Sequence, residues 1–292
     1  MRSLLAIGAA AVLAVSMPSL TERFVASMVF HPTPGIDLHP RDLRIDAREV
    51  WLDTEDGVRI HAFFLPGEPD RDRAILFLHG NAGNASHRLP NAAELARLGS
   101  DVLVLDYRGY GRSQGTPSEA GVYRDARAGL AHLTGERGVP ERRVVLFGES
   151  LGGAVAIDLA VDRELAGVIV ASTFSSLADM GWAMAGPFGR WLAGDDFDSL
   201  AKIGSLRAPL LSFHGDRDEL ISIELGRRLF ERAPEPKDFH VIRGAGHNDT
   251  VDVGGREYFA RIARFLDEVA PAADPSALPG VSRSGGAGPA AR

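Results

Sequence analysis

The chain has 292 residues, 45% of them hydrophobic and 24% charged, with a formal net charge of −7 and no cysteine. Without cysteine, disulfides, thiolate zinc sites, iron–sulfur clusters and cysteine nucleophiles are excluded. An acidic balance with no Lys/Arg-rich block argues against a nucleic-acid partner, and the rest is ordinary globular composition, enough for one large core or two small ones.

Between Arg2 and Glu22 no residue is charged, and residues 4–17 (LLAIGAAAVLAVSM) are almost wholly apolar. That length falls between the core of a signal peptide, about 7–15 residues, and a spanning helix of about 20. Ser19 and Glu22 form an S-x-x-E capping box opening a short helix whose Leu20, Phe24, Val25, Met28 and Val29 share one stripe. Residues 1–30 therefore read as a retained membrane anchor followed by an amphipathic helix. A signal peptide cleaved after Ser16, with a secreted product, is the alternative. Arg2 and the amino terminus bias the first residues to the inside, which puts the remainder outside the cytoplasm.

Residues 49–54 (EVWLDT) and 58–65 (VRIHAFFL) read as two strands joined by a turn at Asp56–Gly57. Short apolar runs follow at 74–78, around 102–105, at 144–147, 167–171 and 209–213, with a last strand at 239–242. Continuous runs of this kind are the mark of parallel strands buried on both faces. Helical patterns lie between them at 86–98, 118–133, 151–161 and 223–233, and a final one spans 256–269. The alternation predicts an α/β chain over residues 31–270: a mostly parallel, doubly wound sheet with an antiparallel hairpin at its start. Residues 172–206 are too long for a simple connection and read as a small cap insertion rich in aromatic residues. Residues 271–292, dominated by Pro, Gly, Ala and Ser, read as a disordered tail.

G-x-S-x-G occurs twice, around Ser113 and around Ser150. A serine made nucleophilic by a sharp turn needs a buried strand ending at the first glycine and a helix starting just after the serine. Ser150 has that setting, in VVLFGESLGGAVAIDLA. Ser113 does not, because its strand ends several residues earlier and Thr116-Pro117 stands where a helix should run. A serine hydroxyl also needs a base, and the base needs an acid to hold its tautomer. Asp216 and Asp218 follow the strand PLLSF, and His247 follows the last strand on a Gly-rich turn. Loops at the C-terminal ends of strands are where such sheets carry their sites. Backbone N–H groups of Leu151, at the helix start, and of Asn81, in the loop HGNAGN, are the candidate oxyanion donors. That loop has no G-K-[ST], so it is not a phosphate loop, and no metal or organic cofactor is called for.

With FLHGNAGN, LDYRGYGRSQGTPSE, FGESLGGAVA, ASTFSSLADM, HGDRDELI and GAGHND in hand, the chain resembles the α/β-hydrolase superfamily, in particular its small, N-terminally membrane-anchored serine hydrolases. Some eukaryotic members of that branch are protein depalmitoylases. The resemblance implies Ser150 as nucleophile, His247 as base and Asp218 as the acid, leaving Asp216 to support its turn. The expected function is hydrolysis of an ester or thioester of a small-molecule or acyl substrate, with a serine peptidase or a catalytically idle binding module as alternatives. Trp182, Phe188 and Trp191 are expected to line an apolar acyl site. Residues 185–198 match no pattern of the branch, and the cysteines of the eukaryotic N-termini are missing, so the substrate does not carry over.

Overall fold

The computed structural model describes residues 26–68 and 72–271. The anchor segment, the capping box at Ser19 and all but the first residue of the tail expected at 271–292 lie outside them. Residues 26–29 are helical; Ala26 and Val29 pack on the core while Met28 is exposed.

Among the described residues, eight strands form one sheet. They are β1 (Arg48–Asp53), β2 (Arg59–Leu65), β3 (Ala74–Leu78), β4 (Asp101–Leu105), β5 (Val144–Glu149), β6 (Gly167–Ala171), β7 (Leu210–Gly215) and β8 (Lys237–Ile242). Their spatial order is β8-β7-β6-β5-β3-β4-β2-β1. β2 pairs antiparallel with both β1 and β4, and every other neighbour pair is parallel. The expected hairpin is thus the antiparallel edge of an otherwise parallel sheet.

Besides the short helical turns at 26–29 and Pro40–Leu43, the helices among the described residues are α1 (Leu89–Arg97), α2 (Glu119–Ala131), α3 (Leu151–Ala160), α4 (Leu177–Ala193), α5 (Ser199–Ile203), α6 (Ile223–Arg232) and α7 (Thr250–Val269). Because strand side chains alternate, the apolar runs feed two cores at once. Leu76, Leu103 and Leu146 pack on one side with Val122, Ala126 and Ile157 of α2 and α3. Ile75, Phe77, Val104 and Phe147 pack on the other with Leu89 and Leu95 of α1 and Tyr258, Ile262 and Leu266 of α7. Each such side chain contributes about 1.5–3 kcal/mol on burial, which is why runs apolar at every position specify central strands.

Two helix starts differ from expectation. Asn84, not Ser86, opens the first: its side chain accepts from Ser86 N–H over a 3-10 turn (Ala85–Arg88) that precedes α1. α7 begins at Thr250 rather than 256. Gly255, at φ 49°, interrupts it there, so the regular part does start at the expected residue. In the insertion, α4 is bent at Ala185 and Gly186 into two arms, and α5 follows.

Candidate active site

β5 carries a buried chain straight into Glu149, and α3 starts at Leu151, so the whole reversal falls on Ser150. Its backbone sits at φ 52°, ψ −114°, a region that costs a side-chain-bearing residue about 1–3 kcal/mol. Neighbours hold it there. Ser150 N–H donates to the Ala171 carbonyl at 2.8 Å, and its own carbonyl accepts from Gly153 N–H at 3.0 Å and Thr173 Oγ1 at 2.9 Å. The flanking glycines are sterically required. A Cβ on Gly148 would strike the Gly152 carbonyl, and one on Gly152 would strike the Leu78 carbonyl of β3.

Three separate loops converge on this turn. His247 Nε2 lies 3.1 Å from Ser150 Oγ, in place to accept its proton. His247 Nδ1 lies 2.8 Å from Asp218 Oδ2, a bond that keeps the proton on Nδ1 and leaves Nε2 free as the acceptor. Asp218 Oδ1 accepts from Leu220 N–H at 3.0 Å and Ile221 N–H at 2.8 Å. Burial disfavours the Asp218 charge. The His214 and His247 rings and the Ile221 N–H outweigh it and hold the carboxyl well below the usual carboxylate range. Asp218 is therefore an anion throughout the neutral range, fit to stabilise an imidazolium on His247. Asp216 takes another task than its own turn. Its Oδ1 accepts from Gly244 N–H at 2.6 Å, tying the acid loop to the histidine loop, while Asp249 accepts from Gly246 N–H at 2.7 Å.

The loop after β3 supplies the other side. Gly80 lies against the turn: a Cβ there would sit 3.5 Å from Ser150 Cβ. His79 Nδ1 donates to the Gly80 carbonyl at 2.7 Å. Because a trans peptide points its N–H opposite its C=O, this bond fixes the direction of the Asn81 N–H. The Asn81 carbonyl accepts in turn from Tyr110 Oη at 2.7 Å and from His31 N–H at 2.9 Å. Leu151 N–H stands at the first position of α3, where helix N–H groups have no intrahelical partner.

Sequence reasoning missed the groups that brace this arrangement. Arg88 Nε lies 2.9 Å from Glu149 Oε2, and Asn91 Nδ2 donates to Glu149 Oε1 at 2.9 Å. The pair ties the residue before Ser150 to the helix after the Asn81 loop. Burial raises the Glu149 carboxyl above its ordinary value, with Arg88 and Asn91 opposing. A carboxylate at the end of a buried strand was the available signal, since such a group requires a partner. Likewise Arg108 bonds Asp125 and Asp56, anchoring the loop that carries Tyr107 and Tyr110.

Ser113 makes none of these contacts. Its hydroxyl accepts from His61 N–H and donates to the Asp106 carbonyl, both at 2.8 Å. Trp182, Phe188 and Trp191, expected to line an acyl site, stand exposed on α4. The rest of the insertion does pack inward: Phe174, Leu177 and Phe197 are core residues. No group of three or more His, Asp or Glu side chains able to hold a metal ion occurs among the described residues.

A family model described as "Serine aminopeptidase, S33" matches residues 69–194. The chain is 39% identical over 249 residues to an uncharacterized protein of Mycobacterium tuberculosis, covering 83% of this chain and 87% of that one. It is 32% identical over 280 residues to the alpha/beta hydrolase domain-containing protein WAV2 of Arabidopsis thaliana, covering 87% and 91%. Human alpha/beta hydrolase domain-containing protein 17B is 33% identical over 226 residues, covering 76% of each chain. Among solved structures, the Pyrococcus furiosus esterase Pf2001 superposes with a TM-score of 0.70 at 25% identity, over 82% of this chain and 98% of that one. By sequence and by fold, this chain belongs to the α/β-hydrolase superfamily and is a hydrolase.

Proposed function

We propose that the chain is a serine hydrolase cleaving carboxylic esters or thioesters through an acyl-enzyme. The observation that carries this reading is the 3.1 Å approach of His247 Nε2 to the hydroxyl of a serine held at a strained strand-to-helix turn. Ser150 Oγ attacks the acyl carbon as its proton passes to His247 Nε2. The tetrahedral oxyanion is held by the N–H groups of Asn81 and Leu151, each donor worth about 2.7–4 kcal/mol in the transition state. His247 then protonates the departing alcohol or thiol. Water, deprotonated by the same ring, releases the acid and restores Ser150.

The family description as a serine aminopeptidase favours a second reading. Glu149, the carboxylate next to Ser150 in sequence, is held by Arg88 and Asn91 and is not the group that would take a substrate's amine. A panel of p-nitrophenyl esters, acyl thioesters and aminoacyl anilides, run with Ser150→Ala as control, decides between them. The ester reading expects turnover of the esters or thioesters that is lost in Ser150→Ala. Turnover of the anilides alone overturns it. A fall from acetate upward turns it toward small acyl groups.

The proposal extends to place. The apolar stretch at residues 4–17 supports attachment to a membrane, with the catalytic domain on the extracytoplasmic side. No helix among the described residues is long and apolar enough to cross a membrane, so this rests on that stretch. Intact mass of protein extracted from membranes checks it: a full-length chain is expected, and a soluble form starting at Met17 contradicts it.

A further inference from the structure

Of the eight large hydrophobic side chains left exposed among the described residues, four crowd into ten positions of α4: Trp182 (54%), Met184 (78%), Phe188 (65%) and Trp191 (76%). The bend at Ala185 and Gly186 makes α4 a hairpin, with Pro187 opening its second arm. The arms pack through bare backbone, since a Cβ on Gly181 would meet the Gly189 carbonyl and one on Gly189 the Gly181 carbonyl. With the glycines turned inward, the bulky side chains are turned out. Phe188 and Trp191 lie with ring centroids 6.0 Å apart. From 182 to 191 the exposed residues are Trp182, Ala183, Met184, Ala185, Pro187, Phe188, Arg190 and Trp191, so a single residue is charged. That charge belongs to the base, where Arg190 and Arg228 both face Asp179.

We propose that this hairpin docks into the headgroup–acyl boundary of a lipid bilayer. Two tryptophans, a phenylalanine and a methionine without a carboxylate are the side chains that boundary selects, with arginine held back at the polar level. A second copy of the chain fits less well. A stable protein interface engages about 20–30 residues a side, and the exposed positions between 182 and 191 fall short of that by themselves.

The chain path gives independent support. Residues 4–17 are apolar, and the sequence that follows them enters the fold at the foot of this hairpin. Phe30 packs edge-on against Phe197, a few residues past α4, at 6.1 Å. His31 and Pro32 pair with Ala82 and Gly83. Eight residues, 18–25, separate the apolar stretch from the described chain, a reach of no more than roughly 30 Å even fully extended. The described chain thus begins beside the hairpin, and two weak attachments together make a stable one. The inference goes beyond attachment through the N-terminal stretch, because it assigns the cap itself to the lipid.

Tryptophan emission tests it directly, since the chain has three tryptophans. Trp51 lies on β1 at the far edge of the sheet, with Arg59 and Arg112 over its ring, and serves as the reference. Full-length W51F, which keeps Trp182 and Trp191, and full-length W182F/W191F, which keeps Trp51, are added to phosphatidylcholine vesicles with plain or brominated acyl chains. Bromine quenches only rings that reach the acyl region. The proposal expects emission of W51F to fall about twofold or more on brominated vesicles, while that of W182F/W191F is unchanged. Vesicle-bound W51F without quenching shows that the N-terminal stretch alone holds the protein, and overturns the proposal. Unquenched but blue-shifted emission that tracks protein concentration shows a second copy on the hairpin, and overturns it too. So does a failure to bind vesicles. None of these results bears on Ser150, whose role is read by covalent labelling.

Discussion

Two aspartates two residues apart do different things, and substitution separates them. Asp218 holds His247 in the tautomer that can accept from Ser150, so Asp218→Asn is expected to lower kcat/KM on the order of 10⁴-fold. Asp216→Asn keeps an oxygen for the Gly244 N–H and should cost only a few-fold. Hydrolysis of p-nitrophenyl butyrate by both variants checks this, and a loss confined to Asp216→Asn reverses the assignment. Ser113→Ala removes the partner of the His61 N–H, for about 1–3 kcal/mol of stability, and should leave activity in place. His79 makes a prediction in pH. Burial pushes its ring down to about 4 against the pull of Asp106, while the unfolded ring protonates near 6.5. Between those values the unfolded state binds more protons. Stability is therefore complete above 6.5 and is lost as pH falls toward 4, by roughly 3 kcal/mol for a shift of this size. His79→Asn, which keeps a donor for the Gly80 carbonyl, should flatten the melting temperature across that window. An unchanged slope would place the acid lability elsewhere.

At the scale of elements, the turn at Ser150 depends on glycine packing, which gives a matched pair of variants. Gly152→Ala drives a methyl group into the Leu78 carbonyl and should destabilise by about 3 kcal/mol or more. Gly135→Ala meets nothing within 4 Å and should be neutral or stabilising by about 0.4–1 kcal/mol. Denaturation midpoints compare them; similar values would mean that strand and helix can separate at this crossing. The strands were legible because a buried parallel strand writes itself as an unbroken apolar run: 74–78 and 167–171 coincide with β3 and β6 residue for residue. Ser150 and His247 were legible because each needs a local setting visible within a few residues. What was hidden depends on distance in the chain. Nothing near Glu149 announces Arg88, and nothing near Asp216 announces Gly244. The insertion was hidden for another reason. Apolar residues facing inward, such as Phe197, and outward, such as Trp191, read alike in sequence, and the hairpin's glycine contact decides which is which.

For the whole molecule, strand order does the assembling. β3 and β5 are neighbours at the middle of the sheet, so the Asn81 loop and Ser150 emerge side by side, and β7 and β8 bring Asp218 and His247 to the same edge. Four segments spread over 167 positions, from residue 81 to residue 247, thereby meet at one hydroxyl. That this hydroxyl is the nucleophile is the central claim, and covalent labelling tests it most directly. The full-length protein is treated with a fluorophosphonate and its peptides are mapped by mass spectrometry. A single adduct is expected on Ser150, retained in Ser113→Ala and absent from a folded Ser150→Ala. An adduct on Ser113, or labelling that survives Ser150→Ala, contradicts the account.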